Sequence, residues 1–167
     1  NIVHPLPTLT HTHCNNSSTQ LNSTLISPCR VVSDDYGVTW KIGASVDDEL
    51  DPLYSNECQA AELLNGTVIF NARSLVERRT QWYSHDQGMT FTPIEKVPTL
   101  VQPIEGCEGT MIALHNGTLL LVHPSAWSLR FNLTLFSSHD DGATWSEVQQ
   151  LVSTPAAYSA MVQLPSP

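Results

Sequence analysis

The stretch SHDDGATW at residues 138–145 has two earlier counterparts, SDDYGVTW at residues 33–40 and SHDQGMTF at residues 84–91. The shared pattern, Ser-x-Asp-x-Gly-x-Thr followed by an aromatic residue, is called the box below. Its glycine can supply the positive φ of a tight turn, and its Asp, Ser and Thr side chains can bond to the amides of that turn. Three nearly identical copies cannot all occupy one active site. We therefore interpret the box as structural, with its aromatic ring buried between strands.

The spacing of the boxes predicts the fold. Successive boxes begin 51 and 54 residues apart, and an Asn-Gly pair lies 32 residues after the start of each of the first two boxes. Branched aliphatic residues flank both pairs, in AELL-NG-TVIFNA and MIAL-HNG-TLLLV, which predicts two hairpins. A period near 50 residues with about four strands per unit is typical of a β-propeller blade. The chain is therefore predicted to be all-β, with the first strand after each box innermost.

The phase of the repeat also predicts the extent of the propeller. The same count from Ser138 places the next turn near residue 170, beyond Pro167. Residues 1–167 are accordingly interpreted as a partial propeller of about three blades, in which residues 1–32 form a loop and a strand of the preceding blade. An open arc of blades would leave sheet edges unpaired. We expect another chain or segment to complete the ring.

The composition excludes several classes of function. A formal charge of −9 with only seven Lys and Arg residues argues against nucleic acid or an anionic membrane as a partner. No apolar run approaches the roughly 20 residues of a membrane-spanning helix. The segment HTHC at residues 11–14 lies in a polar Thr/Asn/Ser context, so neither a metal nor another cofactor is expected.

Cysteine and asparagine usage points to the secretory pathway. Cys14 and Cys29 bracket a polar loop and are predicted to form a disulfide, whereas Cys58 and Cys107 stand in apolar strand contexts and are predicted to be buried free thiols. Six of the nine Asn residues head an Asn-x-Ser/Thr sequence, which predicts glycosylation and a secreted or lysosomal protein. These six are Asn15, Asn16, Asn22, Asn65, Asn116 and Asn132. The fourth and fifth also belong to the predicted hairpin turns, which provides a purely structural reason for their presence.

Counting onward from each box leads to titratable residues at the entries of apolar strands. Glu57 lies 24 residues after Ser33, Glu108 lies 24 after Ser84, and Tyr158 lies 20 after Ser138. Equivalent positions in neighbouring blades converge on the axis, so these groups are predicted to share one cavity.

Two arginines occupy related positions. Arg73 ends the strand after the first Asn-Gly turn, and Arg130 follows the strand after the second turn. Together with Glu57 and Tyr158 they form a candidate anion-binding catalytic pocket.

Four segments between and around the boxes resemble a known family. They are ECQAAELLNGTVIFNARS, EGCEGTMI, HPSAWSLRFNLTLFSSHDDGATWSE and AAYSAMV. The boxes are similar to the Asp-boxes of sialidases (neuraminidases), six-bladed propellers that remove terminal sialic acid from glycans. The four segments are similar, in the same order, to the parts of animal sialidases that carry a catalytic Glu, two substrate-binding Arg residues and a nucleophilic Tyr. A single Asp-box is weak evidence, but this ordered set is specific.

The resemblance implies an exo-α-sialidase acting on sialylated glycans. Arg73 and Arg130 would bind the sugar carboxylate. Tyr158 would be the nucleophile, with Glu57 as the base that takes its proton. The family's first Arg, in an Arg-Ile-Pro motif, and its acid/base Asp belong to an N-terminal half that this sequence lacks. The resemblance thus implies a second chain from the same precursor as partner.

The sequence departs from the family pattern at two places. The family commonly has Tyr-Ser-Asp where this chain has Tyr158-Ser159-Ala160, and it often has Gln where this chain has Glu108. Glu105 and Glu108 are expected to enter the same cavity and to change its pH response. The alternative function is an inactive sialidase-like propeller that acts as a sialic-acid-binding lectin or an assembly subunit.

Overall fold

A computed structural model describes residues 8–15, 26–33, 35–46 and 53–164 of the chain. These ranges contain eleven β-strands and no helix, and hence no helix that could cross a membrane. The strands are β1 Thr8–Asn15, β2 Ile26–Ser33, β3 Lys41–Ser45, β4 Asn56–Glu62, β5 Val68–Arg73, β6 Arg78–Ser84, β7 Glu95–Val101, β8 Thr110–Ala113, β9 Leu119–Pro124, β10 Phe131–Ser138 and β11 Ser146–Pro155.

The strands form three antiparallel sheets. The first sheet has the order β1-β2-β3, the second β4-β5-β6-β7, and the third β8-β9-β10-β11. Neighbouring sheets contact each other through β4, which lies beside β8 on one side and beside β1 and β2 on the other. The predicted all-β class is confirmed within the described residues.

One part of the predicted strand order is wrong. The first strand after each box is not innermost, because β3, β7 and β11 follow the boxes and lie at the far edges of their own sheets. Each box is thus the turn between the last two strands of a sheet. The innermost strands, β4 and β8, come second after a box. The aliphatic hairpins stood out in the sequence, whereas the edge strands β7 and β11, most of whose residues are exposed, did not.

Strand β5 is buried on both faces and separates two cores. Successive side chains of a strand point to opposite faces. Ile69 accordingly packs with Leu121 and Trp145 between the second and third sheets, while Phe70 packs with Trp82 between the first and second. The rings of Phe70 and Trp82 stack with centroids 5.4 Å apart. Full burial of each such side chain contributes about 1.5–3 kcal/mol, so these cores hold the sheets against one another.

The boxes make closely matching hydrogen bonds in all three copies. In the third copy, Ser138 Oγ donates to Asp140 Oδ1 at 2.8 Å and accepts from the Gly142 amide at 2.9 Å. Asp140 also accepts from the Thr144 amide and hydroxyl, at 2.9 and 2.6 Å. Gly142 has φ +87°, which glycine adopts without strain. These hydrogen bonds hold the Asp of each box within its own turn, which supports the structural interpretation of the box.

The aromatic residue of the box is buried in only one copy. Trp145 is 4% exposed and donates to Gln81 of the preceding sheet at 3.1 Å, and Phe91 is partly buried against Phe70. Trp40, in contrast, is 44% exposed, so the prediction that each ring is buried is wrong for this copy. The other two rings pack between their own sheet and the one before it, and no described sheet precedes the one that carries Trp40.

Candidate active site

Glu57 projects from an irregularity at the start of β4. Asn56 pairs with Arg73 and Gln59 pairs with Asn71, so β4 has one extra residue over this interval. Such bulges turn a side chain out of the regular alternation and are common beside active sites. Glu57 itself has φ +44°, a conformation that non-glycine residues rarely adopt. Arg73, at the end of β5, directs Nη1 to within 3.0 Å of Glu57 Oε2.

Tyr158 reaches Glu57 from the far end of the chain. After β11 ends, the Ala156 amide donates to the Arg130 carbonyl at 2.8 Å, and residues 156–164 continue without strand structure. Tyr158 has φ +46°, and its hydroxyl donates to Glu57 Oε1 at 2.7 Å. The prediction that Tyr158 lies at the entry of a strand is wrong, although the structure does place it beside Glu57.

The loop at residues 102–109 holds both arginines by main-chain oxygens. Arg73 Nε donates to the Glu105 carbonyl at 2.6 Å, and Arg130 Nη2 donates to the Gly106 carbonyl at 3.3 Å. The Arg130 guanidinium also lies over the Tyr158 ring, 5.6 Å from its centroid. A cation at this distance from an aromatic face is attracted to the ring. The two guanidinium groups therefore flank the Tyr158–Glu57 pair.

The electrostatics of the pair favour an ionised Glu57 and a protonated Tyr158. Partial burial pushes the pKa of Glu57 up, but the Tyr158 hydrogen bond and the charges of Arg73 and Arg130 outweigh it, so the net pKa is lowered. The pKa of Tyr158 is raised, chiefly because its hydroxyl donates to Glu57. The proton therefore stays on the phenol oxygen, hydrogen-bonded to an ionised Glu57 carboxylate.

The structure therefore brings Glu57, Arg73, Arg130 and Tyr158 together, and their chemical roles remain predictions.

Cys58 and Cys107 are buried free thiols, as predicted. Burial raises the pKa of Cys58 to about 12, so this thiol stays protonated.

Other predicted sites lie elsewhere or outside the description. Asn65 and Asn116 occupy exposed hairpin turns, and Asn132 is half-buried at the start of β10. Asn16 and Asn22 fall outside the described residues, as do the side chains of Asn15, Cys14 and Cys29, so the predicted disulfide stays a prediction. No group of three or more potential metal ligands occurs among the described side chains.

Arg79 is a charged residue that the sequence interpretation missed. It lies fully buried in β6, donating from Nε to Asn71 Oδ1 at 2.5 Å and from Nη1 to the Cys107 carbonyl at 2.8 Å. Burial lowers its pKa to about 10, which still leaves it charged at neutral pH. The sequence RRTQWYS did contain a signal for it, because side chains alternate between the two faces of a strand. Arg79 and Gln81 therefore share one face of β6, and this strand is buried on both faces.

The fold and the site define a box-containing propeller protein with a tyrosine–carboxylate pair between two arginines. A family model described as a BNR repeat-like domain matches residues 3–167. The chain is 35% identical to Sialidase-2 of Cricetulus griseus over an alignment of 142 positions, covering 77% of this chain and 36% of that protein. It is 27% identical to a sialidase of Vibrio cholerae over an alignment of 199 positions including gaps, covering 95% of this chain and 25% of the relative.

Solved structures agree on the fold. The Hadza microbial sialidase Hz136 superposes with a TM-score of 0.70 at 24% identity, covering 82% of this chain and 27% of that one. The chain belongs to the sialidase family with BNR (Asp-box) repeats. It spans about a third of the length of Sialidase-2.

Proposed function

We propose that this chain supplies part of the active site of an exo-α-sialidase that releases terminal sialic acid from glycans. The observation that carries the proposal is the 2.7 Å hydrogen bond from Tyr158 to Glu57, with Arg73 and Arg130 on either side. The relatives named above are sialidases, which supports the same reaction class.

The arginines suit a sugar that bears a carboxylate on its anomeric carbon. Guanidinium groups bind carboxylates through parallel N–H···O bonds, and such charge-assisted bonds are roughly twice as strong as neutral ones. Arg73 is already oriented by the Glu105 carbonyl and Arg130 by the Gly106 carbonyl. Both cations are therefore held in place before the substrate arrives.

A tyrosine nucleophile fits this substrate better than a carboxylate does. The substrate's own negative charge would repel an attacking carboxylate, whereas Tyr158 is neutral until it reacts. As the phenol oxygen bonds to the anomeric carbon, its proton passes to Glu57 Oε1 and the bond to the leaving oxygen breaks. Water then hydrolyses the glycosyl–tyrosine intermediate, and two displacements at one carbon retain its configuration.

We further propose that groups outside the described residues complete the site. The family resemblance implies a third arginine and an aspartate that protonates the leaving oxygen. We expect another part of the polypeptide, or a second chain from the same precursor, to provide both within a six-bladed ring.

Turnover of a fluorogenic sialoside by the full-length protein tests the proposal. Tyr158→Phe should reduce release of sialic acid by at least about a thousandfold, since it removes the nucleophile, and such losses span several orders of magnitude. Tyr54→Phe is the matched control, because Tyr54 is 56% exposed and Tyr158 is 53% exposed. Unchanged turnover in Tyr158→Phe would refute the mechanism. Binding of the sialoside without release by the wild-type protein would instead indicate a lectin.

A further inference from the structure

The backbone next to Tyr158 is fastened to the third sheet by Ser159. The Ser159 amide donates to Glu108 Oε2 at 3.2 Å, its carbonyl accepts from Thr110 Oγ1 at 3.0 Å, and its hydroxyl donates to the Val122 carbonyl at 3.3 Å. A tyrosine at φ +46° keeps that conformation only where its surroundings hold it. Glu108 therefore helps to fix the direction in which Tyr158 points.

Glu108 is the one titratable side chain among these three anchors. It is half-buried in the loop before β8, and burial raises its pKa; the charge of Glu57 raises it further, while the Ser159 amide and the Arg79 charge act in the opposite direction. His123, on β9, lies against Arg79 but is buried and stays neutral, because burial holds its pKa well below the usual range. The charges that Glu108 senses are thus Glu57 from β4 and Arg79 from β6.

We propose that Glu108 is a positioning residue for Tyr158 that also makes the site bind anions less tightly as the pH rises. The proposal rests on the function proposed above, in which Arg73 and Arg130 bind the carboxylate of the sugar. Both protonation states of Glu108 offer an oxygen to the Ser159 amide, so the anchor persists through the titration. Only the charge changes.

The sign of the effect follows from that charge. Below its pKa, Glu108 is neutral, and the pair of arginines attracts the substrate carboxylate without opposition from this residue. Above its pKa, Glu108 adds a negative charge close to Glu57 and weakens the binding of any anion there. One unit charge about 10 Å away changes affinity by roughly tenfold at an effective dielectric constant near 20. A glutamine here would keep the hydrogen bond and remove the pH dependence.

Binding of a non-hydrolysable unsaturated sialic acid analogue to the full-length protein tests the proposal by calorimetry at pH about 4.5 and 7.5. The wild-type affinity should fall about tenfold over this range, and Glu108→Gln should abolish most of the fall. Glu62→Gln is the matched control. It removes the same charge at the opposite end of β4 and should keep the wild-type dependence.

A second measurement is independent of sugar binding. With ¹³Cζ-labelled tyrosine, each tyrosine gives its own NMR signal, and the signal that Tyr158→Phe removes belongs to Tyr158. In the wild type, the Tyr158 signal should shift with a titration step that is absent in Glu108→Gln.

The outcomes separate the inference from the proposed function. Identical pH dependence of the analogue affinity and of the Tyr158 signal in wild type and Glu108→Gln would overturn the inference. If no variant binds the analogue at either pH, the proposed function fails, and the NMR titration still decides whether Glu108 acts on Tyr158.

Discussion

Gly106→Ala should lower the stability and impair the proposed anion-binding site, because Gly106 lies against Arg73. Gly106 has φ +64°, and a Cβ atom added there would lie 2.6 Å from Arg73 Cγ, 2.8 Å from the Ser74 carbonyl oxygen and 3.0 Å from Gln102 Oε1. The Ser74 oxygen belongs to the backbone, and the Gln102 side chain is held by a 2.7 Å bond from Nε2 to the Val76 carbonyl. The group most free to move is therefore the Arg73 side chain.

The loss in free energy of unfolding has two parts, and the same substitution at a second glycine, Gly66, measures one of them alone. A left-handed conformation costs an alanine roughly 1–2 kcal/mol, and overpacking adds about 1–3 kcal/mol. Gly66 has φ +82°, but a Cβ there would meet only Glu62 Oε1, at 4.0 Å. Gly66→Ala should therefore lower the free energy of unfolding by about 1–2 kcal/mol, and Gly106→Ala by about 2–5 kcal/mol.

Urea unfolding followed by tryptophan fluorescence measures the stability difference in the full-length protein. The KM for the sialoside should also differ between the two variants. In the proposed function Arg73 binds the substrate carboxylate; losing one such charge-assisted bond, worth about 1.5–3 kcal/mol, should raise KM by roughly 10- to 100-fold in Gly106→Ala. Gly66→Ala should leave KM unchanged. Equal stability losses and equal KM values in the two variants would refute this account of how Arg73 is positioned.

Three further predictions concern the rest of the described chain. Asp86→Asn should lower the melting temperature at neutral pH, because hydrogen bonds from Thr90 hold the pKa of Asp86 at about 2. This stabilisation is lost as the pH falls from about 3.8 to about 2, so the difference in melting temperature between wild type and Asp86→Asn should disappear over that range. Arg79→Met leaves two buried carbonyl oxygens without a donor and should cost about 2–5 kcal/mol in urea unfolding, whereas an unchanged midpoint would contradict the structural role of this cation. In protein secreted from animal cells, peptide mass spectrometry should find glycans on Asn65 and Asn116, whose hairpins lie at the end of the sheets away from Glu57, and none on half-buried Asn132; the reverse pattern would contradict this assignment.

Much of the fold could be read from local signals. The box repeats, the Asn-Gly turns and the aliphatic strands that flank them each depend on a few neighbouring residues, and the structure realises them in neighbouring sheets. The edge strands were harder to place, since every residue of β11 is exposed and its sequence carries little apolar alternation. Strands that bury little leave a weak pattern.

The candidate site could be predicted as a set of residues but not as a geometry. Counting from the boxes led to Glu57 and Tyr158, yet nothing local to either residue shows that a hydroxyl and a carboxylate 101 positions apart meet at 2.7 Å. The bulge in β4, the loop carbonyls that hold the arginines and the Ser159 anchor belong to contacts between distant segments.

The sequence by itself determined the all-β class, the repeat and the residues from which a site could be built. These depend on turn chemistry and on alternation, both of which act over a few residues. Only the tertiary structure decided that Trp145 is buried while Trp40 is exposed, that Arg79 is a buried cation, and that Glu108 fastens the segment that carries Tyr158. Burial and charge interactions depend on what packs against a side chain, and those neighbours are set by the arrangement of the sheets.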